Sequence, residues 1–152
     1  MARGSVALIW LGMLIGVSFL ATPVKFVVPD LTLALALQVG QATFAAFTRV
    51  EWLLAAALVA ASAFGWRERA LLLALALALA GVVALQGAWL LPALDARVAQ
   101  IVAGHTPPPS SHHALYAGLE VLKALALIAA SFCALNKRRQ TEDTGAIAGN
   151  SA

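Results

Sequence analysis

The stretch from Ala70 to Leu91 contains no charged residue and is built almost entirely of Leu, Ala, Val and Gly. A helix needs about 20 mostly apolar residues to cross the hydrocarbon of a bilayer, and this stretch supplies them before Pro92. The LALALALA repeat inside it alternates between two apolar residues only. It therefore has no in/out strand pattern, and both residues favour helix.

Two other runs have the same character: Ser5 to Thr22, ending at Pro23, and His113 to Leu135, ending at the basic run Lys137-Arg138-Arg139. A longer apolar region, Leu31 to Trp66, is interrupted by Arg49 and Glu51. As one helix it would measure about 54 Å at 1.5 Å per residue, too long for a single upright span. The sequence divides it into an interfacial amphipathic helix over about 31–47 and a span over about 49–66. Asp30, Ala34, Gln38, Gln41, Ala45, Thr48 and Arg49 recur at spacings of three and four, the stripe expected of a helix at the headgroup boundary. The alternative is an outer extension of the second span, packed on its neighbours.

These runs predict an all-α integral membrane four-helix bundle, one domain over 1–139, with spans at about 5–22, 49–66, 70–91 and 113–135. Composition agrees. Hydrophobic residues make up 62% of the 152 and charged residues 11%, against about 25% charged in a soluble domain. That leaves too little polar surface for a water-soluble globule. The first span is expected to be retained, because Phe19-Leu20-Ala21 is a poor small-x-small cleavage site. The run 107–111 (Pro-Pro-Pro-Ser-Ser) reads as an extended spacer in an outer loop over 93–111, and the small, polar tail 140–152 as disordered.

Lys and Arg near the span ends set orientation. With the N-terminus inside, cytoplasmic segments hold Arg3, Arg67, Arg69, Lys137, Arg138 and Arg139, and outer segments hold Lys25, Arg49 and Arg97. Both termini are thus expected in the cytoplasm of a cell with this protein in its inner (plasma) membrane. The net charge of +3 comes from dispersed residues, so no nucleic-acid partner is expected. The lone Cys133 excludes an internal disulfide and reads as structural.

Ionisable groups within a span are costly and need partners. Measured from the cytoplasmic ends at 1.5 Å per residue, Ser18 lies at about 21 Å, Glu51 at about 22 Å, Gln86 at about 24 Å and Glu120 at about 22 Å. Lys123 lies about one turn deeper. Each span thus brings a hydrogen-bonding side chain to one level. His113, Tyr116, Glu120 and Lys123 follow at spacings of three, four and three on one face of the fourth span. Glu120 and Lys123 can pair within the helix, with Arg49 and Glu51 as candidates across it, giving a cluster of zero net charge. Such a layer serves either to specify helix packing or to bind a proton, ion or small solute; a redox or cofactor role is a third reading.

Other features carry less. Gly12-x-x-x-Gly16 permits close helix approach. His105, His112 and His113 have no Met or Cys beside them, and adjacent histidines make a poor metal clamp. No metal and no cofactor are expected. Trp52, Trp66 and Trp89 lie near span ends as interfacial anchors, whereas Trp10 does not. No phosphate loop, nucleophile elbow or metalloprotease motif is present, so no catalytic residue is assigned.

Gly16-Val-Ser-Phe19 through Pro23-Val-Lys25-Phe26, with Val39-Gly40, Phe44 and Arg49-Val-Glu51-Trp52, resembles small four-helix bacterial membrane families of unknown function. These are similar to transmembrane-protein-205-type and copper-resistance-D-like proteins. The resemblance covers about residues 5–135, adding Pro92 and a His-led fourth span, and implies a four-helix bundle. Copper handling in the broader group implies soft or imidazole ligands along a path.

Two functions are expected from different classes. One is a non-enzymatic structural or accessory subunit, with a homo-oligomeric or membrane-protein partner in the bilayer. The other is a small carrier or permease for a proton, ion or small solute.

Overall fold

The computed structural model describes residues 2–63 and 70–149, with side chains over 3–63 and 70–133. Helix α1 (Ala2–Leu14) continues through a π-helical turn (Ile15–Ala21) and the short α2 (Thr22–Val24) into a 3-10 turn (Lys25–Val27). Helix α3 spans Leu33–Ala63. Helix α4 (Ala70–Leu85) passes through a second π turn (Gln86–Leu90) into α5 (Leu91–Val102), and α6 spans His112–Gly149. Four helical stretches are long and apolar enough to cross a membrane: Arg3–Val27, Leu33–Ala63, Ala70–Val102 and His112–Cys133.

Helix α3 replaces two expected elements. It runs unbroken through Thr48 and Arg49, so the interfacial helix over 31–47 does not exist as a separate piece. No proline lies between Leu33 and Ala63, and the Ala, Leu, Gln, Arg and Glu around the junction all favour helix. At 1.5 Å per residue its 31 residues measure about 46 Å. The helix begins after a reversal at Asp30, whose φ of 63° is one that Asp tolerates, and the Thr32 hydroxyl accepts from the Leu35 N–H at 3.3 Å as a cap.

The outer loop is also shorter than expected, because α5 continues past Pro92 to Val102. The π turn explains how. The Leu91 N–H bonds the Gln86 carbonyl five residues back, and Pro92 then sits in the first turn of α5, where its missing N–H costs little. Gly104, at φ 81°, ends α5 in a Schellman motif: His105 N–H donates to the Gln100 carbonyl and Gly104 N–H to that of Ile101. Helix α6 extends to Gly149, where disorder was expected from Gln140; no proline follows Pro109, so nothing forces the backbone out of helix. The side chains of Arg67, Arg69, Lys137, Arg138 and Arg139, central to the orientation expectation, lie outside the described residues.

The helices form a ring. α1 packs on α6 and α3, and α4 packs on α3 and α6, which leaves α3 facing α6 across the centre. Arg3 Nε donates to the Ala61 carbonyl at 2.7 Å, fixing the start of α1 beside the end of α3. Buried positions alternate by three and four: Ala7, Trp10, Leu14 on α1; Leu72, Ala76, Leu79, Val83 on α4, then Gln86 and Leu90; Tyr116, Glu120, Lys123, Leu127, Ala130 on α6. That is the spacing of a continuous inward seam. The outward faces carry Leu8, Ile9, Leu20, Leu53, Leu71, Leu77, Leu122, Leu125 and Phe132, all exposed. So large an apolar surface is foreign to soluble monomers.

Candidate functional site

At the centre of the ring, Lys123 is fully buried and lies between two buried carboxylates. Its Nζ is 2.5 Å from Glu51 Oε1 on α3 and 2.6 Å from Glu120 Oε1 one turn earlier on α6. Three neutral donors complete the contacts of the carboxylates. Trp10 Nε1 donates to Glu51 Oε1 at 3.0 Å, Gln86 Nε2 to Glu120 Oε1 at 3.0 Å, and the Ser18 hydroxyl to Glu120 Oε2 at 2.7 Å. Four chain segments thus converge on three ionisable groups.

Local structure puts the donors there. Ser18 lies within the first π turn and Gln86 opens the second. Both turns immediately precede a proline-bearing segment, and in both the residue before the proline donates its N–H five residues back: Thr22 to Val17 and Leu91 to Gln86. A π turn accommodates one extra residue, which swings the side chains beyond it by about 100° relative to an unbroken α-helix. Pro23 and Pro92, expected to end spans, instead sit just beyond the two turns that present the donors of Glu120.

Next to the cluster, three buried polar atoms have no hydrogen-bond partner among the described residues: the Tyr116 hydroxyl, the Thr48 hydroxyl and Gln86 Oε1. Tyr116 precedes Glu120 by one turn, and its ring meets Phe44 edge-on at 5.2 Å. Phe44 in turn precedes Thr48 by one turn, and the Thr48 methyl lies against Gly87, the neighbour of Gln86. The orphaned groups therefore share one side of the cluster. Buried polar groups without partners are rare, since each costs roughly 1–3 kcal/mol.

Beyond Phe44 lies a cavity of about 190 Å³ between the end of the first helical stretch, the first half of α3, α5 and the start of α6. Lys25, Phe44, Asp95, Arg97 and His113 are among the residues that line it.

Of the eight residues singled out in the sequence, Ser18, Glu51, Gln86, Glu120 and Lys123 are brought into mutual contact. Tyr116 is buried beside them. His113 is not; it is exposed and lines the cavity. Arg49 is exposed and takes no part, because a step of two residues from Glu51 turns it about 200° around α3. The expected charge balance fails with it: the cluster holds two carboxylates and one ammonium. His105 is exposed, and His112 packs edge-on to Trp89 at 5.9 Å. A Cβ added at Gly12 or Gly16 would meet no other side chain within 4 Å among the described residues. Trp10 was missed as a site residue. Its position within a span, away from the ends where Trp anchors at headgroups, was the available signal. Comparison with protein-family models, with curated proteins and with solved structures returns no match.

Proposed function

We propose that this chain is a four-span membrane carrier in which the Glu51–Lys123–Glu120 cluster holds an exchangeable proton. The observation that carries this reading is the charge count. Two carboxylates share one ammonium, all three groups are at most 2% exposed, and Arg49 is out of reach. With every group ionised, the cluster would bear one uncompensated negative charge inside apolar packing, where such charges are strongly disfavoured. One proton on the carboxyl pair makes it neutral. Trp10 and Ser18 from the first stretch, Gln86 from the second π turn and Tyr116 on α6 face the cluster without contributing charge at neutral pH. The Tyr116 and Thr48 hydroxyls supply proton-relaying groups on the side toward the cavity. The reading is non-enzymatic. The N-in, C-in inner-membrane orientation and the affinity to small four-helix bacterial membrane families belong to the same proposal.

Infrared spectroscopy of the protein in lipid tests it. A protonated-carboxyl C=O band is expected at neutral pH, lost in Glu51→Gln or Glu120→Gln, and proteoliposomes carrying either variant should lose pH-gradient dissipation. A wild-type spectrum with no such band would overturn the reading.

A second reading has its own support. The cluster ties three segments to α6 through short, well-directed hydrogen bonds, as expected of a packing knot in an accessory subunit. In that case Glu51→Gln leaves every phenotype intact.

A further inference from the structure

We infer that the cavity beyond Phe44 is a binding site for a small organic carboxylate with an apolar body. This goes beyond the proton-holding cluster, and the site stands whether or not that cluster exchanges a proton. The Lys25 ammonium sits 5.0 Å from the Phe26 ring centroid and 6.0 Å from that of Phe44, and has no carboxylate in ion-pair contact among the described residues. It lies directly on the backbone of Gly40: a Cβ at that position would run into Nζ. Glycine there is what lets the ammonium settle at the cavity wall.

The remaining charges favour a single negative group. Arg97 and Asp95 offset each other in sign, and the Arg97 Nη1 donates at 2.6 Å to the Pro108 carbonyl, which turns it toward the loop. Arg97 is engaged by that carbonyl, whereas Lys25 has no acceptor among the described residues, so Lys25 is the cation offered to a ligand. Around it the wall is mainly apolar, with Leu37, Leu91, Leu94 and Ile101 among its members. Size sets the limit on the body. An apolar cavity of about 150 Å³ admits benzene, so about 190 Å³ admits a ring or a chain of about six carbons with a carboxylate. A phosphate would leave the apolar wall unmatched, and a neutral alcohol would leave Lys25 unmatched.

Isothermal titration of the full chain in lipid nanodiscs, with empty nanodiscs as the blank, tests this using hexanoate. Saturable binding is expected, with hexanol and inorganic phosphate each at least about ten-fold weaker, the scale of one charge-assisted hydrogen bond. Lys25→Met should weaken hexanoate binding by about ten-fold or more. Gly40→Ala, which pushes Nζ off the wall and leaves the charge in the chain, should weaken it in the same direction, so the result does not hang on one variant's folding. Binding in these variants is read alongside unliganded thermal unfolding. No saturable hexanoate binding, equal binding of hexanol, or wild-type affinity in folded Lys25→Met overturns the proposal. Binding of oleate without hexanoate overturns it in favour of an acyl chain drawn from the bilayer.

Discussion

Lys123 holds two carboxylates apart from self-repulsion, and the three groups are not equally replaceable. Removing the ammonium in Lys123→Met leaves Glu51 and Glu120 buried without a cation, a loss of about 3–5 kcal/mol for a broken buried pair. Glu51→Gln keeps the Lys123–Glu120 pair and a neutral cluster, so it should cost only about 1 kcal/mol. Thermal unfolding in lipid-containing detergent would rank them. A Glu51→Gln variant as damaged as Lys123→Met would remove the basis for a shared proton. The double change Glu51→Gln with Glu120→Gln strands the ammonium and should be as severe as Lys123→Met. Glu120→Gln with Lys123→Met, the natural rescue if those two were an isolated pair, should recover stability only in part, because Glu51 remains.

Two features of the elements shape this site: the π turns and the length of α3. If the prolines hold the π turns in place, Pro23→Ala or Pro92→Ala restores an N–H and lets the helix rewind, carrying Ser18 or Gln86 out of register with Glu120. Each proline sits in the first turn of the segment that follows, where its missing N–H costs little, so its removal brings no large gain of its own. No gain, or a net loss of thermal stability, is expected. A clear gain would show that Glu120 does not depend on the π geometry. For α3, spin labels placed singly from Leu33 to Ala63 should report a steady change of immersion depth along one continuous rod. Equal depths over 33–47 would show that this half lies flat against the headgroups.

At the scale of the whole molecule, the ring of helices places the cavity at one end and the Arg3–Ala61 contact at the other. Under the proposed orientation the cavity end faces outward. Cys133 is half-buried against the apolar core and free, and Cys133→Ala should leave folding nearly unchanged, giving a background for labelling. On it, Ser110→Cys should react with an impermeant thiol reagent in intact cells and Gly145→Cys should not. The reverse pattern would invert the topology.

The residues by themselves determined the number of long apolar helices, because runs of about 20 mostly apolar residues admit few other structures. They also determined which polar side chains share a level, because rise per residue is fixed: Ser18, Glu51, Gln86 and Glu120 were legible as a layer from counting alone. Tertiary structure decided the rest. Helical periodicity gives a residue's angle on its own helix but not which angle faces the centre, so Arg49 and Glu51 could not be told apart until α3 was packed against α1 and α4. The π turns changed the angles themselves, which a uniform period of 3.6 does not anticipate. The pairings of Trp10 with Glu51 and of Lys123 with Glu51 join residues 41 and 72 positions apart in the chain. Only the closed ring brings those distances down to a hydrogen bond.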